Sequence, residues 1–516
     1  MIHTKIKICV LVASSLILSG CANIDFLKLK RTPDAIVKET KIAAQWQAPL
    51  PHAGKLENLN QFWQQFDDAL LIELIDSAQQ VSANVASAKA RIVQARAARV
   101  NTTALSRPTL DGTFSASRAL QQPEGSQGSQ QFGNFSQGAT NTAQIGLQAA
   151  WELDIFGANK ILVDSAKKTE NASQANWHEA RVSVAAEVAT SYFSQRYCNA
   201  QLAIIAKDLN SRQESARLTA ISAKAGFTPP AAQYLADASL ADAKQQLSAQ
   251  QAQCDLNMKE LVALTDIDEP TLRAKINQQA FDAGLETSKN YYEINTIPAS
   301  VIAQRPDIYN AEAELVAAAA SVQSNKAAQY PRVSLNGSIG WMTLSSSSFS
   351  ANGPVWSLGP LSITLPIFDS GKRKAGIENA EAQYEASAAN YRSHVRTAVK
   401  EVEQALVNLH SSELRRQNLQ QALTGYQASF KATESKVRAG FANLIELEES
   451  RRSMLQTETN LLNLAESRSN AWIALYRAAG GDWQQNMPIG ENKAGLEANI
   501  HAPSGDAANK EIIEKK

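Results

Sequence analysis

The sequence predicts an α+β membrane protein: a few membrane-crossing strands carried on very long, paired helices. Three observations lead there. Residues 158–225 form a stretch without glycine or proline. The same arrangement returns in the second half of the chain at a constant offset. Four segments of about ten residues, two ahead of each long stretch, alternate apolar and polar side chains with period two.

The long stretch is rich in Ala, Gln, Glu, Lys, Ser and Leu, and its apolar residues recur at helical spacing: Val182, Val184, Val188, Tyr192, Phe193, then Leu202, Ile205 and Leu209. A continuous helix of that length would measure about 100 Å, which implies a coiled coil or helical tube rather than a globular core. Thr228-Pro229-Pro230 stops it, and a second breaker-free run from Ala231 to Glu269 reads as the return arm of a hairpin turning at Gly226–Pro230.

Gly371 follows Gly157 at an offset of 214, and Gly440 follows Gly226 at the same offset. The tips read Lys224-Ala225-Gly226-Phe227 and Arg438-Ala439-Gly440-Phe441. An equal offset at both ends is the mark of a duplication without gaps between those points. Shorter helices are expected at about Asp67–Leu105 and Asp307–Ala328.

The clearest strand is Thr142–Ile155. Ile145, Leu147, Trp151 and Leu153 fall on one face, with Thr142, Gln144, Gln148 and Glu152 on the other. Leu110–Ser117 alternates similarly, as do Val333–Trp341 and Leu361–Ile367, and the linkers Gln121–Thr140 and Ser345–Asn352 read as exposed loops. A soluble sandwich also alternates, but strands of this length also match the tilted crossing of a bilayer by a water-filled barrel. Four strands cannot close a barrel, and open edges in lipid would leave backbone groups unpaired. Several copies must therefore share one. A dimer would give eight strands and a trimer twelve, and the pattern does not choose.

The amino terminus supports a membrane address. Lys5 and Lys7 precede an apolar run, Ile8–Leu18, too short to span a bilayer and suited to a signal peptide. Leu18-Ser19-Gly20-Cys21 then resembles the bacterial lipobox, so Cys21 is expected to carry the lipid after cleavage of residues 1–20. Ala22 follows, which by resemblance to bacterial lipoproteins permits sorting to the outer membrane. Lys plus Arg and Asp plus Glu are 50 each, without the basic excess of a nucleic-acid binder. Four cysteines are too few for a disulfide scaffold.

Two of them nevertheless form a pattern. Cys198 and Cys254 stand equally far from Gly226 in sequence, at offsets of −28 and +28. In an antiparallel hairpin they stand opposite, and this spacing is four heptads, so both keep their phase on a seam. An oxidising periplasm then predicts a disulfide, packed free thiols being the alternative. The corresponding positions of the second repeat are Ser412 and Arg468.

Several segments carry a family resemblance: Leu18–Cys21; Trp63-Gln64-Gln65-Phe66-Asp67; Trp151-Glu152-Leu153-Asp154-Ile155-Phe156-Gly157; Gln304-Arg305-Pro306-Asp307-Ile308; Leu365-Pro366-Ile367-Phe368-Asp369-Ser370-Gly371; and Leu475-Tyr476-Arg477-Ala478-Ala479-Gly480-Gly481. Together they resemble the TolC family of outer-membrane efflux proteins, nearest its NodT/OprM-like lipoproteins that work with resistance-nodulation-division (RND) pumps. The family usually has two arginines before Pro-Asp, and Gln304 replaces the first here.

The resemblance implies a homotrimer in the outer membrane of a Gram-negative bacterium. Twelve shared strands, four per protomer, would continue into a long periplasmic α-helical barrel with a small mixed equatorial domain. It also implies a periplasmic membrane-fusion adaptor and an inner-membrane RND pump as partners, contact with outer-membrane lipid, no nucleic acid, and no cofactor beyond the lipid on Cys21. The expected divisions are a signal peptide (1–20) and a lipid-anchored segment (21–62). A first repeat (63–298) follows, with strands 109–118 and 142–155 and hairpin 158–268. A second repeat (299–483) has strands 332–342 and 356–368 and hairpin 371–479, ahead of a polar tail (484–516).

A duct acts through its narrowest point. Glu446 and Glu449 follow the second tip on one helix face, and three copies would set six carboxylates around a mouth. The resemblance makes them the constriction, with Leu444 as an apolar plug; the acid that OprM-like proteins carry two residues past the glycine is Ala442 here. A solvated acidic face, balanced by Arg451 and Arg452, is the plainer reading. Adaptor docking falls to Lys224, Gly226, Phe227, Thr228, Arg438, Gly440, Phe441 and Asn443, residues that otherwise only shape the turns.

An enzyme is disfavoured, since the six histidines are scattered and no metal, nucleophile-elbow or phosphate-loop motif occurs. A lipid-anchored structural coiled coil would leave the amphipathic strands unexplained. A type I secretion channel would share the fold.

Overall fold

The computed structural model describes residues 27–40, 46–48, 54–55, 62–119, 139–278, 295–296, 302, 305–346 and 350–481. Cys21, the signal peptide, Gln304 and the polar tail lie outside the described residues.

In chain order the elements are α1 (Pro33–Glu39), β1 (Gly54–Lys55), a 3₁₀ turn (Trp63–Phe66), α2 (Ala69–Val81), α3 (Ala83–Ala104), β2 (Thr109–Ala119), β3 (Thr140–Leu153), α4 (Ala158–Lys224), α5 (Pro230–Thr265), α6 (Glu269–Gln278), β4 (Asn295–Thr296), α7 (Pro306–Ala327), β5 (Arg332–Ser345), β6 (Ser350–Thr364), α8 (Lys372–Arg438) and α9 (Leu444–Ala478).

The duplication is legible at the level of single residues. α4 and α8 each span 67 residues, and both of their ends keep the offset of the two tips. Both tips close identically. Phe227 N–H donates to the Ser222 carbonyl and Phe441 N–H to that of Lys436, while Gly226 and Gly440 take φ of +78°. This is the six-to-one bond of a Schellman cap, which needs a left-handed residue and so favours glycine. Pro229 and Pro230 open the first return arm, whereas the Asn443 side chain caps the second.

Two expected helices differ from their reading. The segment taken as one helix over 67–105 is two, α2 and α3, because Ser82 is extended (ψ 120°) and its hydroxyl caps the next helix at Val85. The helix expected at 307–328 is α7, with Pro306 in its first turn and Arg305 as N-cap.

The sheet is antiparallel in the order β2-β3-β5-β6. Register aligns the apolar side chains in rows across all four strands. Phe114, Ile145, Trp341 and Pro354 form one, and Gly112, Leu147, Ile339 and Trp356 the next. Polar partners such as Gln148 and Ser338, or Glu152 and Ser334, face the other side. Gly146 and Gly340 lie opposite one another so closely that a Cβ on Gly340 would sit 2.4 Å from the Ile145 carbonyl. β6 starts earlier and stops earlier than the 356–368 reading. It includes Pro354, tolerated because β6 is an edge strand within the protomer, and ends at Thr364, two residues before Pro366. Likewise 142–155 is displaced to Thr140–Leu153, and β5 continues to Ser345 beyond the expected 342.

The main core gathers where α2 packs between the middle of α4 and the ends of α5 and α9: Trp472, Tyr192, Phe193, Phe62, Leu71, Leu74 and Leu261. The Trp-Gln-Gln-Phe-Asp motif leads straight into it. Asp68 accepts from the Leu70 and Leu71 N–H groups at the start of α2 and from Tyr192 Oη at 2.7 Å, joining the start of α2 to α4. The Arg-Pro-Asp motif is a clamp. Arg305 donates to Asp307 at 2.8 Å, to Glu401 at 2.9 Å and to the Ala478 carbonyl at 2.9 Å, tying α7, α8 and the end of α9 together. No described helix is long and apolar enough to cross a membrane.

Candidate channel mouth and hairpin tips

The described hairpins end at Gly226 and Gly440, and the residues expected to matter there divide into two groups. Asn443 and Thr228 are engaged in the turns themselves. Asn443 Oδ1 accepts from the Glu446 N–H at 2.9 Å, capping the helix, while its side-chain Nδ2 donates to Glu446 Oε1 at 2.9 Å. Thr228 shares a hydroxyl contact with Ser222. Phe227 and Phe441 point outward instead, 86% and 84% exposed. Lys224 is exposed beside the first tip, and Arg438, paired with Glu434 at 3.0 Å, beside the second.

Glu446 and Glu449 are both exposed on the first turns of α9, and Glu449 has no ion pair among the described residues. Leu444 is half-buried, while Ile445 beside it is 63% exposed. The helix phase turns Ile445, rather than Leu444, away from the protomer.

The third acid, Glu448, faces the protein. It pairs with Arg451, approaches Arg212 of α4 at 3.5 Å and accepts from Ser239 of α5 at 3.1 Å. Arg451 is therefore no solvated counter-ion: its side chain is 3% exposed and reaches Ser211 and Ser215 of α4. Asp208 of α4 sits in the same layer, and burial pushes its carboxyl above the usual carboxylate range against the opposing pull of Arg212 and Arg451. Sequence reading missed Asp208 and Arg212, whose only sequence signal was an i,i+4 acid–base pair among many on the long helices.

Further along the first hairpin, Cys198 and Cys254 are joined by a disulfide, with Cα atoms 5.6 Å apart. Higher still, a cleft of about 750 Å³ opens between α4, α8 and α9, with Glu187, Glu401, Asn408, Asn470 and Arg477 on its walls. No cluster of described His, Cys, Asp or Glu residues is arranged to hold a metal ion.

A sheet with an apolar face and two open edges, continuous with paired helices of about 100 Å, defines a protomer of an outer-membrane channel. The comparisons agree. The chain belongs to the outer membrane efflux protein family, which matches residues 74–265 and 297–481. It is 26% identical over 478 residues to the pyoverdine export outer membrane protein OpmQ of Pseudomonas aeruginosa, covering 92% of this chain and 97% of the relative. It is 29% identical over 456 residues to the outer membrane protein OprJ of the same species, covering 84% and 88%. Among solved structures, the outer-membrane channel OprN superposes with a TM-score of 0.75 at 25% identity, covering 86% of this chain and 98% of that one. The protein is thus an outer-membrane efflux channel, of a family of ducts rather than enzymes.

Proposed function

We propose that three copies of this chain close one twelve-stranded barrel and one helical tube. The assembly would serve as the exit duct of a tripartite RND-type efflux system, passing toxic small molecules or metal ions to the exterior. The observation that carries this reading is the sheet. Its terminal strands β2 and β6 each have one unpaired edge within the protomer, and its apolar rows span all four strands. In hydrocarbon such edges are satisfied only by neighbouring copies.

In this reading a lipid on Cys21 anchors each protomer. A membrane-fusion adaptor grips the tips at Lys224, Phe227, Arg438 and Phe441, whose exposed rings beside basic groups supply both contact area and charge. Three copies of Glu446 and Glu449 form the acidic mouth, with Ile445 taking the apolar-plug position first assigned to Leu444. Rings of carboxylates attract cations and repel one another.

The test is electrical. The purified full-length protein in planar bilayers is expected to form cation-preferring pores. Glu446→Gln combined with Glu449→Gln is expected to raise conductance and lower the cation-to-anion permeability ratio. Unchanged conductance and permeability ratio would remove the acidic mouth from this account. A deletion strain that stays drug-resistant but no longer secretes one protein would move the channel to type I secretion.

A further inference from the structure

The end of the sheet nearest the helices carries a combination that a duct alone leaves unused. Trp151, Leu335 and Leu361, then Leu153, Val333 and Ile363, form its last apolar rows. The Trp151 indole N–H donates to the Ser106 carbonyl at 3.2 Å, as suits a tryptophan at the rim of a membrane barrel. Leu365 and Ile367 follow at the same two-residue interval although β6 has ended. Ile367 and Phe368 are 91% and 87% exposed. Lys372, Arg373 and Lys374 then open α8.

Three cations at the amino end of a helix oppose its dipole, and the first turn of α8 holds no acid. Asp369 offsets one of them. It accepts from the Gly371 and Arg373 N–H groups, both at 3.1 Å, and pairs with the Arg373 guanidinium at 2.8 Å. Two turns past Lys374 on the same face, Glu381 pairs with Lys326 of α7 at 3.2 Å, and Lys326 donates to the Lys28 carbonyl at 3.4 Å. The segment Leu27–Arg31, which begins six positions after Cys21, is thereby held beside the base of α8. The other acids nearby are already matched: Glu378 faces Lys374 and Glu39 faces Arg31, each at 3.8 Å, and Asp34 and Lys38 balance within α1. Lys30 and Lys372 are exposed and have no ion pair among the described residues. Positive charge is thus in excess directly beside bulky exposed apolar side chains. A second copy would not neutralise it, because Arg107, which precedes β2 at this same end of the sheet, adds a further cation where a neighbouring β2 pairs with β6.

We propose that this rim binds the phosphate head groups of anionic phospholipid in the periplasmic leaflet, with Lys28, Lys30, Lys372 and Lys374 around the head group and Ile367 and Phe368 among the acyl chains. This rests on the channel reading above and adds a lipid preference to it.

The experiment titrates the delipidated full-length assembly with phosphatidylglycerol or phosphatidylcholine and reads bound lipid by native mass spectrometry. The wild type is expected to prefer phosphatidylglycerol, less so as salt is raised. Lys372→Gln combined with Lys374→Gln is expected to weaken phosphatidylglycerol binding about tenfold and leave phosphatidylcholine unaffected, while Lys372→Arg with Lys374→Arg keeps the preference. Native gels establish assembly, and Lys28→Gln with Lys30→Gln, off the helix, carries the test should the first pair not assemble. A wild type that binds both lipids equally, or an assembled glutamine variant with wild-type preference, would overturn the site. In vesicles, a nitroxide on Phe368→Cys is expected to be reached by oxygen more than by a water-soluble nickel chelate. A label shielded from both, as a covering second copy would leave it, would also overturn the proposal. A wild type that prefers phosphatidylglycerol but forms no pores would instead remove the channel reading, so the two failures are distinguishable.

Discussion

Arg468 donates to Ser412 at 3.3 Å across the pair of positions that Cys198 and Cys254 occupy in the first repeat. Arg468 also approaches Glu413 at 3.2 Å. The two hairpins are therefore stapled at one equivalent height by different chemistry, one covalent and one by a buried, charge-assisted hydrogen bond. Burial pulls the Arg468 guanidinium below its ordinary range while Glu413 opposes that fall.

The covalent staple constrains the unfolded chain. Its partners have a sequence separation of 56, which in the chain-entropy model corresponds to about 4 kcal/mol. Cys198→Ser, or reduction of the wild type, is expected to lower the thermal midpoint of the first hairpin's unfolding while the assembly still forms at about room temperature. A midpoint insensitive to reductant would show that the bond adds nothing to stability.

If the repeats share backbone geometry at this height, the second hairpin should accept the first one's staple. Ser412→Cys combined with Arg468→Cys is expected to form a disulfide on export to an oxidising compartment, read as loss of both thiols to alkylation. Two freely alkylated cysteines in an assembled protein would mean that the helix pairs diverge there despite their equal offsets.

Asp208 gives a pH dependence whose sign is fixed by linkage. Burial raises its folded pKa above the unfolded value of about 3.9, so the folded state binds the proton more tightly. The charged carboxylate thus carries a cost at neutral pH that is removed as pH falls through the raised folded value and is fully relieved below the unfolded one. The groups facing it are Arg212 on its own helix, and Arg451 and Glu448 on α9. Wild-type stability relative to Asp208→Asn is expected to rise from pH 7 toward pH 4, measured as the difference between their melting midpoints. A difference that is flat, or that shrinks on acidification, would contradict the burial argument.

Much of this was legible along the chain. The constant offset between the repeats located both ends of α4 and α8, because a helix stops where glycine permits a left-handed cap and both tips retain that glycine. The symmetric spacing of Cys198 and Cys254 about Gly226 fixed their opposition, because an antiparallel hairpin folds equal lengths back on each other. Less legible were the start of β6, which lies at Ser350 rather than 356 because an edge strand accommodates Pro354, and Ser82, which divides one apparent helix into two.

By itself, then, the sequence determined the long hairpins, their duplication, the period-two strands and the need for partner copies, since each depends on local periodicity, breakers or backbone hydrogen-bond accounting. Only the tertiary structure decided that Glu448 rather than Glu449 turns inward, that Ile445 rather than Leu444 is exposed, and that Arg451 meets α4. Those outcomes depend on the rotational phase of one long helix against another, and residues from opposite halves of the chain come into register only when the two helices pack.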